Sequence, residues 1–323
     1  MCVLRAVVVA GVDVILNERA GGLVDGSPLR DSIRNAASDG GARLHPTRSL
    51  DELATAARDI AARGTDAVVI AGGDGTTMAV ISALAAAWPD GASLPPIALS
   101  GGGTVCTIAR NFGARGAARS WAGRIVRATC DGSAVATRRP TLRVRDSGGG
   151  DRVGFIFGTG LVARFFELYD ASPRRGLATA AGIAARVFAG SFVGSALARR
   201  ILDPAPCTLT VDGVEHPSRA FSLVLASVVR DVGLHLFATY RAGEELERFH
   251  VVASGLSAGA LGAQMPRVLA GRPIKGEPRV DALARSLAVR FADAGGAYVL
   301  DGDLMHAQYV TLEAGPTISV LTP

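Results

Sequence analysis

The sequence predicts an α/β plus β chain: an N-terminal doubly wound, Rossmann-like parallel-sheet domain, then a C-terminal, mainly antiparallel β-sandwich domain. Three observations carry this expectation. Over residues 1–132, apolar runs rich in β-branched residues alternate with segments whose apolar residues recur at helical spacing, the rhythm of βαβ units. After Cys130-Asp131-Gly132 that rhythm gives way to short alternating runs separated by turn signals, the pattern of antiparallel strands. At 323 residues the chain is long enough to bury two cores. The domains are therefore drawn at 1–132 and 133–323, with the last run, 318–321, able to return to the first sheet.

In order along the chain, a first strand is expected over 7–16, and Gly21-Gly22 form the loop before a helix over 29–38. A short strand at 42–45 precedes a helix over 50–63. The run Ala67-Val68-Val69-Ile70-Ala71, bounded by Gly64-Thr65 and Gly72, fits a buried parallel strand better than a helix. Behind it Met78, Val80, Ile81 and Leu84 recur at helical spacing as far as 87. A strand at 97–99, a loop over 100–104 and a helix from about Cys106 complete the first domain. In the second, strands are expected at 141–145, 153–157, 207–211, 221–229, 287–291, 297–300 and 318–321. Turns at 146–151, Asp212-Gly213 and Asp301-Gly302 punctuate them, and helical segments at 178–198 and 261–269 interrupt them.

Charge and composition narrow the function classes. Formal net charge is +5 and the isoelectric point lies near 9.4, with arginine scattered rather than massed. Such an excess suits an anionic membrane surface or nucleotide phosphates, and gives little support to nucleic-acid binding without interleaved aromatics. Cys2, Cys106, Cys130 and Cys207 show no paired spacing, which argues for reduced thiols in a cytoplasmic protein and against zinc. None of His45, His216, His235, His250 and His306 pairs with another at metal-ligand spacing on one helix. Neither a signal peptide nor an anchor is expected, because only Arg5 precedes an apolar run that Asp13 cuts short. The longest apolar stretch, 177–198, holds Arg186 and lies between Arg174-Arg175 and Arg199-Arg200. It is weak as a membrane span, and reads equally as a buried helix or a lipid-facing segment.

The most informative run is Gly72-Gly73-Asp74-Gly75-Thr76-Thr77, where a strand gives way to a helix. A helix N-terminus built from small residues offers backbone N–H groups and the positive end of the dipole, a setting for phosphate. An aspartate there would repel phosphate unless a cation lay between, so Asp74 points to magnesium. The same string also makes ordinary tight turns, and Asp is a common helix cap. It is neither a Walker A loop nor the dinucleotide GxGxxG pattern. A second glycine loop, Gly101-Gly102-Gly103-Thr104, again joins a strand to a helix and can present amides and a hydroxyl to an anion. Asn17, Gly21 and Gly22 follow the first strand, where such residues usually mean a turn, and Thr47 ahead of a helix fits a cap equally well. By itself Asp301-Gly302-Asp303 reads as a hairpin turn, like Asp212-Gly213.

Taken together, these blocks resemble the catalytic domain of the diacylglycerol kinase, sphingosine kinase and ceramide kinase superfamily, to which NAD kinases and phosphofructokinases are more distantly similar. Gly72-Gly73-Asp74-Gly75-Thr76 looks like the family's Gly-Gly-Asp-Gly-Thr, and Asn17-Glu18-Arg19-Ala20-Gly21-Gly22 is similar to its Asn-Pro-x-x-Gly-Gly loop. Gly103, Thr104, Ala109 and Arg110 match its Pro-x-Gly-Thr-Gly-Asn-Asp-x-Ala-Arg block, and Asp301-Gly302-Asp303 resembles its Asp-Gly-Glu. The resemblance implies ATP and Mg2+ as cofactors, with the nucleotide held by Asn17, Arg19, Gly21, Thr47, Gly72, Gly73, Gly75, Thr76, Gly102, Gly103, Thr104 and Asp303. It implies a metal at Asp74, Asp301 and Asp303, catalysis by Asp74 and Asp301, and lipid contacts from Arg110, Gly160 and Arg164. Where sphingosine kinases commonly place an Asp to meet a cationic amine this chain has Arg164, so an uncharged acceptor, diacylglycerol or ceramide, is the expected substrate. Met78, Ala79, Val105, Cys106 and Ala242 depart from positions that are often polar in the family.

The implied activity is transfer of the ATP γ-phosphoryl group to a primary hydroxyl of a membrane lipid, in a cleft between two domains. A cytoplasmic enzyme touching the inner face of the membrane follows, with no nucleic-acid partner and with a homodimer left open. An NAD kinase and a non-catalytic lipid or nucleotide binder are the alternatives.

Overall fold

Apolar β-branched runs pair as parallel strands in the first of two units of the structure, a computed structural model that describes residues 11–323 except Asp90, Thr104, Arg174, Arg175 and Asp293. The first unit runs to Arg139 and adds Thr317–Pro323; the second is Pro140–Pro316. In the first, β1 (Val12–Asn17), α1 (Pro28–Asp39), β2 (Arg43–Thr47), α2 (Leu50–Arg63), β3 (Ala67–Gly72), α3 (Asp74–Ala87) and β4 (Ile97–Gly102) alternate. They are followed by α4 (Thr107–Asn111), α5 (Ala118–Cys130) and β5 (Val135–Arg139). Residues 7–10 of the expected first strand lie outside the described residues.

The sheet order is β2-β1-β3-β4, then the strand Ile318–Thr322, then β5. All neighbours are parallel except β5, which runs antiparallel to Ile318–Thr322. From β1 the chain moves outward to β2 on one side and to β3 on the other, and ligands of open parallel sheets bind beyond the carboxyl ends at such a reversal. One face of the sheet, with Val14, Leu16, Val69 and Ala71, packs on Ile33 and Ala37 of α1 and Trp121, Ile125 and Val126 of α5. The alternate residues Ile15, Val68 and Ile70 are equally buried, so both faces are covered, as parallel sheets require. The unit ends at Arg139 rather than near residue 132 because β5 pairs with Ile318–Thr322.

A buried carboxylate ties down the opposite end of β1. Asp13 is fully buried and accepts from Arg43 Nε (3.0 Å) and Nη2 (2.9 Å) and Arg63 Nη2 (2.9 Å), with His45 Nε2 at 2.8 Å. Burial alone would raise its pKa, but the His45 and Arg43 hydrogen bonds reverse the sign and hold it far below the usual carboxylate range.

In the second unit the strands are β6 (Leu142–Asp146), β7 (Asp151–Gly154) and β8 (Ile156–Gly160). Next come α6 (Leu161–Asp170), α7 (Leu177–Phe192), α8 (Ala196–Leu202), β9 (Ala205–Val211), β10 (Val214–Glu215), β11 (Ala220–Phe221), β12 (Leu223–Ser227) and β13 (Phe249–Ser254). The remainder is α9 (Ala258–Gly262), α10 (Met265–Leu269), β14 (Arg279–Ala284), β15 (Ser286–Phe291), β16 (Gly296–Leu300), β17 (Asp303–Ala307) and β18 (Tyr309–Ala314). Two antiparallel sheets result, β10-β9-β15-β18-β6-β7 with β11 on β9, and β14-β13-β12-β8-β16-β17. The expected helix over 178–198 breaks at Gly194 (φ 61°), and Ser195 caps α8 through Ala198 N at 3.2 Å.

Among the described residues the chain passes four times from one sheet to the other through a single residue: Phe155, Ser222, Arg285 and Gln308. Each corner takes amides off the ladder, and each finds them another acceptor. Asp301 accepts from Phe155 N (3.0 Å) and Ile156 N (2.8 Å), and Asp212 from Arg285 N and Ser286 N (both 2.8 Å). Ser222 N donates to Ser254 O at 2.8 Å, and Gln308 N to Ser147 Oγ at 2.8 Å. Both aspartates open two-residue hairpin turns in left-handed conformation, Asp212-Gly213 (φ 47° and 83°) and Asp301-Gly302 (φ 50° and 98°), the geometry that suits the strand twist.

Two stability outcomes are expected. Asp301 is buried whereas Asp212 is exposed, so Asp301→Ala costs about 2–3 kcal/mol and Asp212→Ala about 1 kcal/mol or less, measured by urea unfolding. The second concerns acid. Asp13 lies below its ordinary value of 3.8, and Asp146 falls to about 2, because hydrogen bonds from Tyr298, Gly150 and Arg152 outweigh the burial that would raise it. A depressed carboxylate stabilises the fold above its ordinary value and loses that contribution as pH falls through the folded one. Stability therefore drops steeply below about pH 4. Asp13→Asn lowers it at neutral pH by about 3 kcal/mol and flattens the acid limb, read by denaturation across that range.

Candidate active site

Three loops gather at the carboxyl ends of β1, β3 and β4, and glycine is what lets them meet. Gly22 N donates to Gly102 O at 3.0 Å, and a Cβ on Gly22 would lie 2.7 Å from that oxygen. A Cβ on Gly103 would fall 2.4 Å from Gly73 Cα, and one on Gly72 2.4 Å from the Thr76 side chain. Asn17 links the first loop to the second: its Nδ2 donates to Thr76 Oγ1 at 2.8 Å while its Oδ1 accepts from Arg19 N at 2.9 Å. Gly21 and the Arg19 side chain are exposed on the rim.

Within this frame, α3 begins four residues earlier than expected, at Asp74. The first bond from an amide of this segment back into the helix is Thr77 N to Gly73 O (2.9 Å), and Gly73 supplies no side-chain cap. The amides of Gly75 and Thr76 thus open a helix of 14 residues whose dipole adds to them, the arrangement that accepts phosphate. The small residues and open amides fit a nucleotide's phosphates.

Asp74 behaves differently from the expected metal-facing carboxylate. Its two oxygens accept from Thr107 N (2.8 Å) and Ile108 N (2.9 Å), the first amides of α4. The residue at the α4 cap, Cys106, sits in left-handed conformation (φ 51°) and gives the helix no side-chain cap, so Asp74 caps that helix from another loop. Burial raises its pKa, with the two amides pulling the other way. Magnesium keeps waters and needs only one or two carboxylates beside substrate phosphates, but both Asp74 oxygens already accept from amides. Among the described residues no group of three or more His, Cys, Asp or Glu is placed to hold a metal ion.

Other expected residues separate. Thr47 is buried (5% exposed), its hydroxyl donating to Leu16 O at 3.4 Å, and Ser49 rather than Thr47 caps α2. Arg110 is exposed at the end of α4, and Thr104 lies outside the described residues. Not foreseen was a charged cluster behind the first loop. Glu18 accepts from Arg48 Nε at 2.6 Å and pairs with Arg30, which also pairs with Asp25. Glu18 lies 12 residues from Arg30 and 30 from Arg48, too far for any periodicity to join them.

In the second unit, Asp301 is buried on the Phe155 and Ile156 amides, whereas Asp303, two residues on, is exposed. Partial desolvation and then the neighbouring Asp170 carboxylate push Asp303 above its ordinary pKa, with Arg152 opposing. Gly160 is required by its backbone (φ 68°, and a Cβ 2.5 Å from Ser222 O). Arg164 is corrected: its Nη1 donates to Ile201 O (3.1 Å) and Asp203 O (2.6 Å), capping the end of α8, so it no longer argues about the charge of the substrate.

Two substitutions report on the loops. Gly103→Ala forces Gly73 aside, lowering stability by about 2 kcal/mol and weakening ATP binding, by thermal unfolding and calorimetric titration. Asp74→Ala strips two first-turn amides of their acceptor, and costs about 1–2 kcal/mol in the same assays.

Comparison with known proteins agrees with this geometry. Residues 12–136 match the family model of the diacylglycerol kinase catalytic domain. No curated protein matches the chain at a significant level. Among solved structures, a diacylglycerol kinase from Bacillus anthracis is similar in fold, with TM-score 0.63 and 12% identity over 98% of this chain and 97% of that one. A second protein from the same organism, provisionally assigned as a diacylglycerol kinase, has TM-score 0.68 and 15% identity over 98% and 99%. At such identities these structures establish the shared fold, and the domain match bears on residues 12–136. Residues 12–136, which make up most of the first unit, are thus similar to the diacylglycerol kinase catalytic domain, and the chain as a whole shares its fold with diacylglycerol kinase-like structures.

Proposed function

We propose that the chain is an ATP-dependent kinase that transfers the γ-phosphoryl group to a primary hydroxyl of a membrane lipid, diacylglycerol first and ceramide second, at the cytoplasmic face. The observation that carries this is the open amino end of α3, framed by the glycine loops of β1, β3 and β4. The amides of Gly73, Gly75 and Thr76 would meet phosphate oxygens, Gly102 and Gly103 would keep the facing loop clear of them, and Asn17 would hold Thr76 in place. Magnesium, when bound, would supply charge neutralisation on the transferring phosphates, with Asp74 as the candidate carboxylate of this loop.

The proton of the lipid hydroxyl needs an acceptor, and the second unit offers two. Asp301 spends its carboxylate on the Phe155 and Ile156 amides, and so shapes the turn. Asp303 is exposed and has a raised pKa, which brings it nearer to the operating pH of a general base. We assign the base to Asp303 and the positioning of its turn to Asp301. The family match favours a lipid over NAD as acceptor.

The test is a radiolabelled-ATP assay over diacylglycerol, ceramide, sphingosine and NAD. Expected are a labelled phospholipid from diacylglycerol, a rate that rises with pH as Asp303 deprotonates, and a loss of about a hundredfold or more in Asp303→Asn, with that pH limb removed. Asp303→Glu retains part of the rate. Labelled NADP as the sole product, or full activity in Asp303→Asn, overturns the assignment.

A further inference from the structure

The helix α7 is two-faced in an unusual way. Its inner residues Ile183 and Val187 pack with Ile201 and Leu202 of α8 and Leu261 of α9. The outer face of a helix on a water-soluble surface is normally charged. Here the exposed positions are Ala178, Ala181, Ala185, Ala189, Phe192 and Val193, with Arg186 as the one charge among them. Phe192 and Val193 are 58% and 80% exposed, at the point where the chain turns through 103° into α8. Phe188 stacks edge-on against Phe192, ring centroids 5.0 Å apart, and stiffens the tip. On the far side of the turn Arg199 and Arg200 are exposed, Arg199 Nε being held by Gly194 O at 3.0 Å. Residues 176–202 contain no Asp or Glu at all, so the tip carries only positive charge.

With 16 residues α7 is short for a bilayer, and no single helix among the described residues is long and apolar enough to cross one. A half-apolar, basic-ended corner of this kind fits the plane of the headgroups instead. We propose that the α7–α8 corner is a membrane-docking surface, in which Phe192 and Val193 enter the interface of an anionic phospholipid bilayer while Arg186, Arg199 and Arg200 meet its phosphates. Charge complementarity selects this occupant: a protein partner for an apolar tip has no need of an acid-free, arginine-only margin.

Flotation of the full chain with phosphatidylcholine vesicles, and with vesicles containing about a third phosphatidylglycerol, tests it at low and high salt. Wild type should float with the anionic vesicles and much less with the neutral ones. The double variant F192S/V193S, whose residues are exposed and leave the core intact, should lose about tenfold or more in binding. R199Q/R200Q should lose about tenfold on anionic vesicles only, and with it most of the salt dependence. A tryptophan placed by F192W should shift its emission to the blue when vesicles are added. Equal flotation on both vesicle types, unchanged binding in F192S/V193S, or a dimer in sedimentation that F192S/V193S dissolves while vesicle binding persists, would each overturn the proposal. Phosphorylation of a water-soluble, short-chain diacylglycerol is measured alongside; it needs no docking, so its loss counts against the kinase reading and not against the surface.

Discussion

Backbone N–H groups stranded where a ladder stops or a helix begins have to find an acceptor, and this chain answers that constraint repeatedly with aspartate. Asp74 takes the first two amides of α4, Asp301 takes two at the Phe155 corner, and Asp212 takes two at the Arg285 corner. A single carboxylate suits the task because its lone pairs can take consecutive amides, on both oxygens at Asp74 and Asp301 and on Oδ1 alone at Asp212. Through these bonds the β3–α3 loop is fastened to the β4–α4 loop, and the hairpin that ends in Asp303 is fastened to β8. The positions of the candidate phosphate cradle and of its candidate base both follow.

Much of the fold was open to reading because its periodicities are local. Ala67–Gly72, Leu50–Arg63 and Ser286–Phe291 stand close to where composition and spacing put them. What escaped lacks local signals. Phe249–Ser254 is buried throughout and so does not alternate, and its polar His250 is accommodated by Asp281 on the neighbouring strand at 2.8 Å and by Arg241 N at 3.4 Å. Asp303–Ala307 and Tyr309–Ala314 are divided by Gln308 alone, with no turn residues to mark the corner. The helix expected from Cys106 stops after Asn111, because Gly113 and Gly116 take positive φ before α5 can start.

The site was legible in its glycines and less so in its charges. That Gly72, Gly73 and Gly103 belong to a crowded loop follows from their type, since only glycine tolerates such approach. That the Asp74 and Asp301 carboxylates are turned onto amides, that Thr47 is buried, and that Arg164 caps α8 does not, because each partner is remote in sequence. A motif names the residue type that a place requires. Whether the requirement is chemical, architectural or both is decided by what its atoms touch.

The strand Ile318–Thr322 sits between β4 and β5 in the first unit's sheet although all of the second unit precedes it in the chain. During synthesis, then, β4 leaves the ribosome with one edge bare and stays so until the β-rich unit has been made. The parallel sheet therefore closes only after the second unit has been made, and the second unit works in effect as an insertion into the first. A fragment cut to the matched residues 12–136 would expose a hydrophobic sheet edge where the intact chain has a neighbour.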